Sequence, residues 1–130
     1  MRPAIVTTAA GKFGQTVRIG PHALVADEPT ADGGDDRGPA PHEWLLAGLA
    51  SCTSMTVKMY ADRKGWPLEK VEVTVEGAQR DEAFVFQRRV KVEGPLSDEQ
   101  RARLVEIAEK CPVHKTLAGA IRIETDLLPR

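Results

Sequence analysis

The sequence predicts an α+β fold, with antiparallel strands, a central cysteine-bearing helix and a second helix. Three observations carry this. Short β-branched segments separated by Gly and Pro open the chain. Two helical patterns follow at a distance from each other, and two alternating segments lie between them. The order is therefore β-β-(β)-α-β-β-α-β, in which strands come in pairs rather than alternating with helices.

AIVTTAA, QTVRIG and HALVADE are short and divided by GKFG and by Gly20-Pro21. Such punctuation predicts an antiparallel meander of two or three strands. PTADGGDDRGPAP, residues 29–41, has no apolar period and reads as a loop, either a solvated connector or a flap over a site. From His42 to about Lys64 runs the longest helical pattern. Leu45, Leu46, Leu49, Cys52, Thr53, Met55 and Met59 form its broad, mostly apolar side, and many small residues suggest a central, enclosed helix. Gly65 and Pro67 stop it.

LEKVEVTVEG alternates Val71, Val73 and Val75 with polar residues, and FVFQRRVKVEG places Phe84, Phe86, Arg88, Val90 and Val92 on one side. With AQRDEA between them, the two predict a hairpin. Arg88 is out of pattern. Either a bulge or an edge turns it outward, the favoured option, or it points inward toward an anion. In PLSDEQRARLVEIAEKC, Ser97 is the N-cap candidate with Gln100 three residues later. Leu104, Ile107, Ala108 and Cys111 make the core-facing stripe of this second helix, which Pro112 ends. HKTLAG then reads as a short turn and AIRIETDLL as a closing strand.

The length of 130 residues suits one domain, 1–130. A net charge of −1 without a basic run argues against a nucleic-acid partner. The longest strongly apolar stretch, residues 44–50, is far short of a membrane span. MRPAIVTTAAG lacks a signal-peptide core, so the expected location is cytoplasmic. There, a pair of cysteines more often serves catalysis, redox sensing or metal binding than a structural disulfide.

The chain has two cysteines, Cys52 on the apolar side of the first helix and Cys111 at the inner end of the second. If the helices pack together the thiols can meet, although spacing does not establish it. Two buried cysteines acting as small apolar residues is the competing reading. A thiolate that attacks a peroxide becomes a sulfenic acid, which a second thiol converts to a disulfide. Such a thiolate needs a cation or hydrogen-bond donors nearby. A zinc site from Cys52, Cys111, His114 and His42 lacks a second close ligand pair, so neither metal nor cofactor is expected. His114 reads as a surface residue or as a donor near the Cys111 sulfur.

PHEWLLAGLASCTSM, followed much later by EKCPVHKTL, resembles the OsmC/Ohr family of thiol peroxidases, and the order of elements fits that family over nearly the whole chain. The resemblance implies an intertwined homodimer with two sites at its interface. It implies Cys52 as the peroxidatic residue and Cys111 as the resolving one. It also implies an organic hydroperoxide substrate and a dithiol reductant, in some members a lipoyl-bearing protein. The organic hydroperoxide branch carries a glutamate ten residues before its first cysteine. Here that position is His42, and Glu43 stands nine before Cys52, a spacing more similar to the OsmC-like branch. Glu43 is the matching catalytic candidate. Helical geometry places it about 13–14 Å along the axis from Cys52 and on the opposite side, so it would act on the site of the other subunit or else simply favour its own helix N-terminus. The organic hydroperoxide branch also uses a catalytic arginine early in the chain. The early turn here is GKFG, which leaves Lys12, Arg18, Arg37 and Arg88 as candidates to activate Cys52. The expected function is thus cysteine-based reduction of organic hydroperoxides. The alternatives are a non-catalytic dimer that binds an apolar small molecule or senses oxidation, and a permanent Cys52–Cys111 disulfide.

Overall fold

Tight turns organise the N-terminal strands. A computed structural model describes residues 1–129. It divides into two compact units, Met1–Ala47 and Gly48–Arg130. In the first, β1 (Ala4–Thr8), β2 (Gln15–Ile19) and β3 (His22–Ala26) form the expected antiparallel meander in the order β1-β2-β3. Gly20, at φ +58°, sits in the two-residue link between β2 and β3, where a side chain would be strained. The following loop contains a short 3₁₀ turn at Thr30–Asp32. Asp27, 2% exposed, organises it by accepting the backbone N–H groups of Glu28 and Arg37.

Helix α1 (Pro41–Lys64) begins in the first unit and continues into the second. Proline suits its first position, and Ala40 is the residue before it. The buried positions Leu49, Thr53, Val57 and Ala61 recur every fourth residue, one narrow stripe of the helix. The broad apolar side read from sequence is thereby corrected: Leu45, Met55 and Met59 are exposed in the chain, and Val57 and Ala61 take the core positions instead.

In the second unit, β4 (Lys70–Arg80) and β5 (Ala83–Glu93) form a regular antiparallel hairpin. The strands reach further than the alternation suggested, because only Asp81 and Glu82 remain as the turn. Asp81 adopts φ +54°, a conformation Asp tolerates in short hairpin loops. Helix α2 (Asp98–Ala108) starts on the predicted capping box: Ser97 accepts the Gln100 N–H while the Gln100 side chain accepts the Ser97 N–H. Arg101 fastens α2 to the end of β5 by donating to the carbonyls of Val92 and Gly94 at 2.8 and 3.0 Å. Val57, Ala61, Leu104 and Ala108 form the core, flanked by Trp66, Leu68, Val71, Val90 and Val92. Ser97→Ala is expected to cost about 1 kcal/mol of stability, read as a lower urea midpoint. An unchanged midpoint would mean the box does not hold this helix.

The end of the chain departs from the sequence reading in two ways. The α2 helix stops at Ala108, ahead of Cys111, and Pro112 opens a further helix, α3 (Pro112–Ala118), where a turn was expected. Proline is pre-organised for the first position of a helix as well as disruptive within one. The closing strand is absent. Residues 120–129 form no ladder with either edge of the β4–β5 sheet, and Ile121, Ile123, Leu127 and Leu128 stand exposed. A strand pattern is realised only where a neighbour takes its backbone hydrogen bonds.

Candidate active site around the two thiols

Both cysteines are free thiols, and they differ in access: Cys111 is fully buried and Cys52 only partly so. Cys52 immediately precedes Thr53 of the buried stripe, which puts it at the margin of the packed face. It opens onto a groove shared with Met55, Met59, Tyr60, Pro112 and Val113. Cys111 occupies the extended link between α2 and α3, with φ −67° and ψ 142°. That is the conformation Pro112 demands of its predecessor. Its sulfur caps α3, accepting the His114 N–H at 3.3 Å.

Three further groups reach the Cys111 sulfur. The Thr53 hydroxyl lies 3.6 Å away and also donates to the Leu49 carbonyl at 2.7 Å, the back-bond common for threonine within a helix. The Arg88 guanidinium places Nη1 at 3.9 Å from the sulfur and 3.1 Å from Thr53 Oγ1. The Cys52 thiol is near enough to Cys111 to favour its ionised form. Burial pushes the Cys111 thiol up. Thr53, the His114 amide, Cys52 and the Arg88 charge act against it, and together they hold the thiol below the ordinary cysteine range.

Of the candidate cations, Arg88 reaches the Cys111 sulfur within its own unit. It sits in unbroken register opposite Val75, with no bulge, so the favoured outward reading is corrected. Its side of β5 is the side of Phe86, Val90 and Val92, and the partners awaiting it there (a hydroxyl, a sulfur and an imidazole) satisfy a charge that the alternation alone made anomalous. Arg88 Nη2 lies 2.9 Å from His114 Nδ1. Arg88 and His114 also border a second cleft of about 350 Å³, otherwise lined by Leu49, Phe84, Val85, Phe86, Leu117 and Ala118. Lys12, Arg18 and Arg37 belong to the first unit, where Lys12 packs over the Phe13 ring.

Of the residues singled out from sequence, Cys52 and Cys111 are brought together. Glu43 lies in the first unit, where its carboxylate accepts the Ala40 N–H at 2.7 Å and so closes the start of α1. Thr53 was read only as part of an apolar face. Its signal in the sequence was a hydroxyl in the middle of that face. Among the described residues no three His, Cys, Asp or Glu side chains group to hold a metal, and no helix is long and apolar enough to cross a membrane.

Residues 33–126 match the family model described as OsmC-like protein. Among solved structures, an OsmC-like protein from Mycoplasma pneumoniae superimposes with a TM-score of 0.76 at 21% identity, covering 92% of this chain and 88% of that one. An organic hydroperoxide resistance protein OsmC from Legionella pneumophila gives 0.65 at 23%, covering 90% of each chain. An organic hydroperoxide resistance protein from Elizabethkingia anophelis gives 0.69 at 17%, covering 92% and 89%. No curated protein sequence matches.

Proposed function

The chain belongs to the OsmC-like family, and from that premise we propose that it is a cysteine-based peroxidase reducing organic hydroperoxides, with Cys52 peroxidatic and Cys111 resolving. The observation that carries this reading is the neighbouring thiol pair, with one member reachable from a groove and the other enclosed beside a guanidinium.

The steps follow from that arrangement. The Cys111 thiolate takes the proton of the Cys52 thiol. The Cys52 thiolate attacks the terminal oxygen of the hydroperoxide. The S–O bond forms, the O–O bond breaks, and the departing alkoxide takes the proton from Cys111 to leave as an alcohol. Cys111, a thiolate again, attacks the sulfur of the Cys52 sulfenic acid. Hydroxide leaves, is protonated to water, and a disulfide remains. An external dithiol then restores both thiols. That reductant, a lipoyl-bearing protein in the family reading, and a cytoplasmic setting belong to the proposal.

A homodimer belongs to it as well. Exposed Met55 and Met59 beside Cys52 and the apolar tail support a covering partner. Glu43 enters only there, as a carboxylate offered to the partner's site. The cleft walled by Phe84, Phe86 and Leu117 supports a second reading, a dimer that binds an apolar molecule without turnover.

Counting thiols by alkylation and intact mass, before and after one equivalent of organic hydroperoxide, separates the two. Loss of both thiols to an internal disulfide is expected. Two unreacted thiols, with an apolar ligand raising the melting temperature, would transfer the conclusion to the binding dimer.

A further inference from the structure

The chemistry above uses the His114 amide and leaves its imidazole without a task. We infer that His114 is a positioning residue: its side chain holds the Arg88 guanidinium against the Cys111 sulfur, so that a thiolate at Cys111 depends on a ring that touches Arg88.

The geometry of Arg88 carries the inference. Its side chain comes from β5, and its acceptors come from three other places: Thr53 on α1, Cys111 in the link and His114 on α3. A guanidinium only donates, so Nδ1 of His114 is the acceptor and the ring proton sits on Nε2. The contact that matters for the thiol, Nη1 to Sγ at 3.9 Å, is the longest of the three and cannot orient the group. The 3.1 Å bond to Thr53 anchors Nη1 alone, about which the plane is free to pivot. The 2.9 Å bond at Nη2 removes that freedom, because two anchored nitrogens define the plane of a rigid fork. The Cys-Pro-Val-His spacing delivers both functions from one residue: the third position after the cap gives its N–H to the sulfur, and its ring turns to the guanidinium.

The groups facing Cys111 are Cys52 and Thr53 from α1, Arg88 from β5 and His114 from α3. Lys110 precedes it in the chain, and Glu109 borders a small cleft with Arg88. Of these, only His114 contacts both the sulfur and the guanidinium by separate atoms without itself carrying the charge.

The inference rests on the peroxidase reading for its catalytic meaning, but its test needs no peroxide. Thiolate absorbance near 240 nm is followed against pH in the full chain carrying Cys52→Ser, where Cys111 is the one thiol. His114→Leu is expected to lower the thiolate fraction at neutral pH about tenfold. His114→Asn, which presents an amide oxygen near the Nδ1 position, is expected to restore most of it. In an Arg88→Met background, His114→Leu is expected to add nothing. An unchanged titration in the leucine variant, failure of asparagine to restore it, or an equal drop without Arg88 would each overturn the role. If the leucine variant does not fold, His114→Ala against His114→Asn reads the same way. The expected titration pattern, together with a parent protein (Cys52 intact) that consumes no hydroperoxide, would sink the peroxidase reading and leave His114 as the positioning residue.

Discussion

Replacing Cys52 with serine is expected to reduce hydroperoxide consumption to the uncatalysed background. Cys52 has a thiol that opens to a groove, whereas Cys111 is fully buried, so removing Cys52 removes the one nucleophile a peroxide reaches directly. The matching variant behaves differently. Cys111→Ser leaves that nucleophile in place but takes away the thiol that would condense with its sulfenic acid. One slow turnover is expected, ending with a single added oxygen on Cys52 that a sulfenic-acid reagent captures. Intact mass after one equivalent of hydroperoxide checks both. Wild-type consumption by the Cys52→Ser protein would sink the assignment, and capture of the oxygen on Cys111 instead would reverse the two roles.

Arg88→Met has the second large effect expected, a fall of about a hundredfold in the rate of disulfide formation, comparable to removing one preorganised donor from a site where charge develops. The guanidinium opposes the burial of the Cys111 sulfur, and without it desolvation acts with less opposition. The sign is specific. With the folded thiol held below its unfolded value, the native state binds fewer protons between the two, and stability rises with pH through that window. The contribution is complete above the ordinary cysteine range and is lost as pH falls through the folded value. Arg88→Met is therefore expected to move the pH–rate profile toward higher pH and to remove that gain in stability. Arg88→Lys keeps the charge but not the fork, so partial recovery is expected. A pH–rate profile identical to that of the parent protein would show that Arg88 does not act on the thiols.

Much of the fold was legible because its determinants are local. Val71, Val73 and Val75 alternate with polar residues whatever they pack against, and Ser97 with Gln100 caps α2 through atoms three residues apart. Misreadings came where two local rules compete. Pro112 both ends a helix and begins one, so α3 looked like a turn. Residues 120–128 alternate like a strand but find no ladder partner among the described residues. On α1, counting apolar residues favoured Met55 and Met59, while contact with α2 selected the smaller Val57 and Ala61.

The site divides along the same line. The two thiols, the proline that holds Cys111 in an extended conformation, and the α+β order that carries them are legible along the chain, because each is a property of residue type and near neighbours. Packing in three dimensions sets that Arg88 turns inward, that Thr53 and His114 receive it, and that Glu43 accepts the Ala40 N–H at the start of its own helix. Arg88 is 23 residues from Cys111 and Thr53 is 58. Coulombic and hydrogen-bonding partners are selected by distance in space, and no period along the chain encodes which strand residue will face which helix once both have packed.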